Sequence, residues 1–358
     1  MRYRLNEISN QMKPYHTPFP RREFLKSVGV AAAGMALQTC LPAAETNSAT
    51  AQPKSSGVPK RKLGRTNEMV SIIGVGGHTL ALARSEDESI RIVHEAVDAG
   101  INFMDNAWEY NNGRSELVMG RALKGIRDRV FLMTKVCTHG KGKDVAMQLL
   151  EESLQRLQTD RLDLWMIHQI EKESEVEAAF APGGVIEALE LAKKQGKIRY
   201  VGFTGHRDPN LHLAMLKHDY PFDAVLMPIN CFEAGRKGFR TLVLPELNKR
   251  NIGSLGIKSL GGTPASVVRE GKITAQNAIR FSLSQPITTQ IVGMSSLQNL
   301  HDNLEITRNF TPMPQAEMDK LVAQFATEEL RTRFARYTHP AYRDSGLTEN
   351  GLAFGNLA

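Results

Sequence analysis

The sequence predicts an α/β protein, a (β/α)8 TIM barrel with an N-terminal β-hairpin and a C-terminal helical tail. Eight short β-branched runs alternate with eight amphipathic segments over about 240 residues, as consecutive strand–helix units require. The chain has 358 residues, 41% apolar and 23% charged, which is an ordinary globular composition and enough length for one large barrel. Gly100, Gly196 and Gly253 fall at or near predicted helix ends, where glycine is common.

The first 51 residues have the pattern of an export signal rather than of a folded domain. The pair Arg21-Arg22 leads into Phe24-Leu25-Lys26 and an Ala/Gly-rich run, and Ala49-Thr50-Ala51 is a candidate cleavage site. The apolar run has about a dozen residues, too few to span a bilayer. The pattern resembles a twin-arginine (Tat) signal. It implies the Tat translocase as a partner, export to the periplasm and no stable membrane insertion after cleavage. A cytoplasmic fraction, a chance Arg-Arg pair and lipidation of Cys40 stay open as alternatives.

The remaining elements follow in order along the chain. Residues 60–72 resemble a hairpin that caps the barrel floor. Buried parallel strands are predicted at 71–75, 101–104, 130–136, 162–167, 198–203, 224–229, 252–257 and 288–292. Helices are predicted at 86–99, 115–124, 143–158, 184–196, 209–218, 239–250, 272–284 and 297–308. A further helix near 315–337 belongs to the tail. The chain is therefore divided into an export signal (1–51), a barrel (52–310) and a C-terminal helix and tail (311–358).

The rival architecture is a doubly wound sheet, which would carry a Gly-x-Gly-x-x-Gly turn after its first strand. Gly74-Val75-Gly76-Gly77 follows the first strand, but Leu80 stands where a third glycine is needed. The match is weak, and the barrel is preferred.

Charge and cysteine content exclude several classes of function. The formal net charge is +7, and almost half of it lies in the first 51 residues, which hold six Lys/Arg and three Asp/Glu. The balance left on the rest of the chain is too small for a nucleic-acid surface, so we expect no nucleic-acid partner. Three cysteines without a Cys-x-x-Cys pair predict no metal site, and Cys137 and Cys231 are expected to be small buried side chains.

Four polar residues stand at predicted strand ends, where barrels carry their chemistry. Asp105 ends the second strand, Tyr110 follows in its loop, Lys135 lies in the third strand and His168 follows the fourth. A tyrosine hydroxyl is a poor proton donor at neutral pH, and a neighbouring cation lowers its pKa. An aspartate would hold the lysine, and a histidine would orient a substrate oxygen or relay a proton. Each residue alone is more often a turn, cap or satisfied core group, but together they suit a reaction that creates negative charge on a carbonyl oxygen.

The motifs around these residues resemble those of the aldo-keto reductases. They are Asp105-Asn106-Ala107-Trp108-Glu109-Tyr110, Asn112-Gly113-Arg114-Ser115-Glu116, Thr134-Lys135 and Asp163-Leu164-Trp165-Met166-Ile167-His168. The resemblance covers roughly residues 60–310 and implies reduction of a small aldehyde or ketone substrate by NADPH. It implies Tyr110 as the general acid, Lys135 and Asp105 as the groups that tune it, and His168 as the group that orients the carbonyl. Trp108 lines the substrate pocket or only plugs the barrel mouth.

The same resemblance implies cofactor-binding positions at the ends of the later strands. The turn Gly293-Met294-Ser295-Ser296 opens a helix whose N–H groups suit a phosphate. In the family this turn holds the adenosine phosphate, which implies roles for Gly293, Ser295, Asn299 and Asn303. Asn299 stands where many relatives place arginine, so NADP is favoured and NAD stays open.

Three further positions complete the implied cofactor site. Thr204 ends the fifth strand and matches a residue that holds the nicotinamide carboxamide. Asn230 ends the sixth strand, and Lys258 follows the seventh. Lys258 either contacts the pyrophosphate or is an ordinary solvated lysine. The alternative function is a non-catalytic protein of the same fold that binds the nicotinamide cofactor without turnover.

Overall fold

The computed structural model describes residues 57–233, 238–262 and 265–339. The export-signal prediction, including Arg21-Arg22, Cys40 and the cleavage site, lies outside these residues. Within them the structure is an eight-stranded parallel barrel, which confirms the predicted fold class. The last strand, Thr289–Gly293, pairs with the first barrel strand, Ile73–Gly76, and with Gly253–Ile257, so the sheet closes on itself.

The barrel is preceded by an antiparallel hairpin of β1 (Lys60–Lys62) and β2 (Met69–Ser71), in which Lys60 lies opposite Ser71. The eight barrel strands are β3 (Ile73–Gly76), β4 (Phe103–Asp105), β5 (Phe131–Val136), β6 (Leu162–Ile167), β7 (Ile198–Thr204), β8 (Ala224–Pro228), β9 (Gly253–Ile257) and β10 (Thr289–Gly293). Each lies within two residues of its predicted start and end, because a buried parallel strand is a short apolar run bounded by polar turns.

Helices occupy the connections between strands. They are α1 (Gly77–Leu80), α2 (Glu86–Asp98), α3 (Arg114–Ala122), α4 (Lys143–Leu157), α5 (Glu173–Phe180), α6 (Val185–Lys194), α7 (Pro209–Lys217), α8 (Phe239–Lys249), α9 (Ser266–Arg269), α10 (Ala275–Leu283) and α11 (Leu297–Arg308). The short helices α1, α5 and α9 were not predicted, since each lies inside a loop and lacks a long apolar stripe. Helix α10 starts at Ala275 rather than at residue 272 because the Thr274 side chain caps it, accepting from Asn277 N at 3.1 Å.

The tail holds two helices, α12 (Gln315–Gln324) and α13 (Glu328–Phe334), where one helix was predicted. The break follows from Thr327, whose side chain caps α13. Phe325 and Phe334 both pack against the barrel side in a cluster that includes Phe232 and Phe281. The tail is therefore packed against the barrel as far as Tyr337.

The barrel interior is filled by side chains, as is usual for this architecture. Phe103, Met133, Leu164 and Leu255 pack together there, and Leu63 of the hairpin loop joins them. The hairpin thus closes the end of the barrel at which the strands begin. In the described part of the chain, no helix is both long and apolar enough to cross a membrane.

Candidate active site

The structure brings the four predicted polar residues together at the end of the barrel where the strands finish. Asp105 is the last residue of β4, Lys135 lies in β5, and His168 directly follows β6. Tyr110 begins a 3₁₀ turn, Tyr110–Gly113, in the loop between β4 and α3. Neighbouring parallel strands end at the same edge of the barrel, so these four residues lie close together although they are far apart in the sequence.

Lys135 is the centre of the group. Its Nζ donates to Asp105 Oδ1 at 2.5 Å, to the Asn106 carbonyl oxygen at 2.7 Å and to the Tyr110 hydroxyl oxygen at 3.0 Å. The Lys135 side chain is 1% exposed, so its charge is satisfied by protein groups and not by bulk water. Burial raises the pKa of the Asp105 carboxyl above its usual value, while attraction to Lys135 acts in the opposite direction.

His168 completes the group on the other side of the tyrosine. Its ring lies edge-on to the Tyr110 ring, with centroids 5.7 Å apart. Its Nδ1 contacts the buried carboxylate of Glu109, which immediately precedes Tyr110. Since Glu109 holds Nδ1, Nε2 is the ring nitrogen left for Tyr110 or a substrate oxygen.

Glu109 is a residue that the sequence analysis did not single out. The only signal in the sequence was an acidic residue directly before the predicted proton donor, in the loop that follows β4. That signal is weak because a loop carboxylate usually faces water. Here the Glu109 side chain is 3% exposed, and its Oε2 has no hydrogen-bond partner among the residues that the structure describes.

The turn that carries Tyr110 depends on left-handed backbone. Asn111 and Asn112 have φ of 52° and 55°, and Gly113 has φ of 85°. Asparagine and glycine adopt this conformation more readily than other residues. Asn111 Nδ2 donates to the His78 carbonyl oxygen at 2.9 Å and to Ser115 Oγ at 2.8 Å, which fixes the turn against α1 and α3.

A buried ion pair supports the turn from behind. Glu116 on α3 is fully buried, accepts from Thr134 Oγ1 at 2.6 Å and lies 3.3 Å from Arg156 of α4. Burial raises the pKa of the Glu116 carboxyl, although these partners oppose that effect. Arg156 also donates to the Trp108 carbonyl oxygen at 2.8 Å. This network joins β5, α3 and α4 to the loop that carries the tyrosine.

Trp108 lies against the outside of this network. Its Nε1 donates to Glu152 Oε2 at 2.9 Å, and the Arg156 guanidinium lies 5.0 Å from its ring centroid. Both partners are on α4. The indole therefore braces the loop against a helix.

Among the predicted cofactor positions, Thr204 is buried at the end of β7. Its Oγ1 accepts from Gln169 N at 3.0 Å, and its hydroxyl proton is still available to a ligand. Gln169 has φ of 56°, and its amide nitrogen lies 3.3 Å from His206 Nε2. The sequence analysis did not include Gln169, which links the catalytic group to the end of β7.

Asn230 is hydrogen-bonded to the C-terminal tail. Its Nδ2 donates to the Tyr337 hydroxyl at 2.7 Å and to the Lys258 carbonyl oxygen at 3.2 Å. Tyr337 is fully buried and donates to Glu233 Oε2 at 3.0 Å. Lys258 has φ of 59°, and its Nζ lies 5.9 Å from the Tyr337 ring centroid. Tyr337 gave no signal in the sequence, because a tail residue reveals nothing about a partner more than 100 positions away.

The turn after β10 is the most open of the predicted cofactor positions. Ser296 caps α11, and Ser295 Oγ donates to Asn299 Oδ1 at 3.2 Å. Ser295 is partly exposed and Asn299 exposed, while Asn303, one turn further on, is buried. A Cβ added at Gly293 would lie 3.0 Å from the Thr79 side chain, so a larger residue there would require Thr79 to shift. Exposed serine, asparagine amide and helix N–H groups at one turn fit a phosphate group.

In the described part of the chain, no group of three or more His, Cys, Asp or Glu side chains is arranged to hold a metal ion. Cys137 and Cys231 are free and buried, as expected for small core side chains.

Comparison with known proteins gives one consistent result. Residues 72–271 match the Aldo/keto reductase family. The chain is 25% identical over 287 residues to the uncharacterized oxidoreductase YqkF of Bacillus subtilis, covering 69% of this chain and 90% of that protein. It is 27% identical over 279 residues to the L-galactose dehydrogenase of Arabidopsis thaliana, covering 68% and 86%. The holo form of an aldo-keto reductase from Bacillus halodurans is similar in structure, with a TM-score of 0.62 at 25% identity, covering 76% of this chain and 99% of that one.

Proposed function

Because the chain belongs to the aldo/keto reductase family, we propose that it reduces an aldehyde or ketone to an alcohol by hydride transfer from NADPH. The observation that carries the proposal is the position of Lys135 Nζ, within hydrogen-bond distance of both Asp105 and the Tyr110 hydroxyl. A cation held at a phenol oxygen favours the phenolate, so the arrangement prepares Tyr110 to give up its proton.

Tyr110 acts as the general acid. As negative charge develops on the substrate carbonyl oxygen, the Tyr110 O–H bond breaks and a new O–H bond forms on that oxygen. Lys135 stabilises the phenolate that remains, and Asp105 holds Lys135 in place by a hydrogen bond of 2.5 Å. The pair is already formed in the protein, so the groups need no reorganisation during the reaction.

His168 orients the carbonyl. The Glu109 carboxylate at Nδ1 fixes the ring and directs Nε2 towards the substrate side, which is the arrangement by which an acidic group orients a catalytic histidine. A donor at Nε2 stabilises charge on the substrate oxygen as it forms.

NADP is the cofactor that we propose, with NAD as the alternative, and when bound it supplies the hydride. We assign Thr204, the last residue of β7, to the nicotinamide carboxamide and Lys258, which follows β9, to the pyrophosphate, because both stand at strand ends on the side of the barrel that carries Lys135 and His168. Ser295, Asn299 and the N–H groups at the start of α11 suit the adenosine phosphate. Asn230 and Asn303 contribute indirectly, since Asn230 is hydrogen-bonded to Tyr337 and Asn303 is buried.

The test is turnover of purified protein with NADPH and a panel of aldehydes, ketones and aldoses, followed by the absorbance of the reduced nicotinamide. We expect oxidation of NADPH that depends on the carbonyl compound. Tyr110→Phe keeps the ring and removes the acid, so it should lower kcat by about 100-fold or more. Binding of NADPH without turnover of any carbonyl would favour a binding protein and contradict the proposal.

Location is a separate proposal. We infer from the Arg21-Arg22 pattern that the Tat translocase exports the chain to the periplasm, with a small carbonyl compound as its substrate there. Replacing both arginines by lysine keeps the charge and should retain the protein in the cytoplasm, as measured by cell fractionation. Unchanged fractionation of the double variant would contradict export by this route.

A further inference from the structure

A second cluster of acid–base side chains lies beside His168, and the proposed reaction does not use it. His139 follows β5, and its Nδ1 lies 3.5 Å from Glu175 Oε1 on α5. Its Nε2 lies 2.8 Å from Cys137 Sγ, and its backbone is left-handed with φ of 46°. A non-glycine residue in this conformation is held by its surroundings and is often part of a functional site.

The cluster borders a small, partly open cavity that His168 also lines. The cavity has a volume of about 10 Å³, and its lining includes Thr138, His139, His168, Gln169 and Glu175. That volume and polar lining suit a single water molecule. One water there would lie between the proposed catalytic histidine and the His139–Glu175 pair.

The cluster also reaches the protein surface. The His139 side chain is 16% exposed and Glu175 is 8% exposed, whereas His168 and Glu109 are 4% and 3% exposed. Lys141, on the same loop as His139, is exposed. Within this cluster, a proton moving from solvent towards His168 would therefore meet His139 before Glu175.

The charges around His139 favour its protonated form. Acidic groups face it from Glu175 on α5, Glu171 before α5 and Glu109 in the tyrosine loop. The cation Lys141 and the thiol of Cys137 lie on its own segment. The hydrogen bond to Glu175 raises the pKa of His139, and burial acts against it. Burial acts to raise the pKa of Glu175, but bonds from His139 and from the Glu171 and Lys172 N–H groups lower it.

We propose that His139 and Glu175 form the solvent end of a proton path to His168, linked by one water molecule in the cavity. The inference rests on the proposed carbonyl reduction, which consumes one proton from solvent in each turnover. Asp105 and Lys135 are buried beneath the reacting tyrosine, so that end of the site offers no route for a proton from water.

The proton balance along the path is complete. Tyr110 gives its proton to the substrate oxygen and regains one from Nε2 of His168. Glu175 takes the Nδ1 proton of His139 and passes it to the water, and the water returns a proton to Nε2 of His168. His139 is then reprotonated by solvent. The net result is the transfer of one solvent proton to Tyr110, with no electron moved along the path.

The test uses His139→Asn and Glu175→Gln in the full-length protein. Asparagine accepts left-handed backbone and cannot relay a proton, and glutamine keeps the size of glutamate. The matched control is His301→Asn, which removes an exposed histidine paired with Glu95 on the outer surface. The measurements are kcat and KM against pH, the solvent deuterium isotope effect on kcat, and NADPH binding.

We expect His139→Asn to lower kcat by about 100-fold, the lower end of what a positioned acid contributes, with KM and NADPH binding unchanged. The loss should be largest at alkaline pH, where solvent protons are scarcest. The solvent isotope effect should rise, and imidazole added to the buffer should restore part of kcat. Glu175→Gln should show the same pattern, and His301→Asn should match the wild type.

Two outcomes separate this inference from the proposed function. If the wild type turns over and both variants keep its kcat and pH profile, the proton path is wrong and the carbonyl reduction stands. If the wild type binds NADPH but reduces no carbonyl compound, the proposed function is wrong, and the path has no reaction to serve. A variant whose loss in kcat is not relieved by imidazole and leaves the isotope effect unchanged would also overturn the path.

Discussion

At the scale of single residues, the site depends on buried charged side chains that are paired with other protein groups instead of with water. Lys135, Asp105, His168 and Glu109 are all buried, and each charged group lies against a group of opposite charge or a dipole. Burying an isolated charge is costly, so each of these groups is held in place by a partner. Such a site can create and remove a phenolate without rearranging its surroundings.

Glu109 gives a prediction at this scale. Glu109→Gln keeps the size of the side chain and removes the charge at His168 Nδ1, so the ring loses the partner that fixes it. We expect kcat to fall by about tenfold or more, with a smaller change in KM and a changed pH profile. Steady-state kinetics across pH checks this. Glu246→Gln, which removes half of a surface ion pair with Arg250, is the control and should match the wild type. A pH profile of Glu109→Gln identical to that of the wild type would mean that Glu109 is only structural.

The sequence predicted that four side chains would lie close together, because strand ends in a barrel meet at one edge. They are Asp105, Tyr110, Lys135 and His168. The sequence did not predict Glu109 and Gln169 because their positions depend on loop backbone angles that no periodic pattern records. Gln169, for example, has a positive φ, and nothing in the residues around it in the sequence predicts that backbone conformation.

At the scale of elements, the strands and long helices were predictable because each has a period that burial enforces. The short helices and the break in the tail were not, since they depend on local caps such as Thr274 and Thr327. The exact orientation of helices also depends on single buried polar groups. His212 on α7 is an example, because it packs between Phe203 of β7 and Phe239 of α8.

Burial of His212 lowers its pKa to about 4. The unfolded chain therefore binds a proton at this histidine at a higher pH than the folded chain does, and the stability that it contributes is lost as the pH falls below about 6.5. Between pH 7 and pH 5 this loss is about 2 kcal/mol of unfolding free energy. Denaturant unfolding at both pH values checks it.

The variant His212→Asn provides the comparison. It lacks the titrating ring, so its unfolding free energy should change by about 2 kcal/mol less than that of the wild type between the two pH values. An equal change in both proteins would show that His212 is not buried as a neutral ring. The comparison uses the difference between pH values, so a general loss of stability in the variant does not affect it.

At the scale of the whole molecule, the tail joins the barrel through Tyr337. Its hydroxyl links Asn230 and Glu233, which follow β8, and its ring lies 6.0 Å from that of His206. The sequence predicted a tail helix but not this anchor, because the contact joins positions far apart in the chain. The end of the described tail therefore borders the face of the barrel that carries the site.

Tyr337→Phe tests this anchor. It keeps the ring and removes two buried hydrogen bonds, so it should lower the unfolding free energy by about 2 kcal/mol. Denaturant unfolding measures the change. Tyr220→Phe removes a hydroxyl from a half-buried tyrosine for which the described part of the chain shows no hydrogen-bond partner, and it should cost little. Equal stability of the two variants would show that the tail is not anchored at Tyr337.

The central claim is that this chain moves a hydride to a carbonyl carbon with Tyr110 as the proton donor. The most direct measurement is transfer of deuterium from NADPH labelled at the nicotinamide C4 to an alcohol product, followed by mass spectrometry. We predict one deuterium on the former carbonyl carbon with the wild type, and product formation at least about 100-fold slower with Tyr110→Phe. Unlabelled product, or equal rates for the two proteins, would contradict the account.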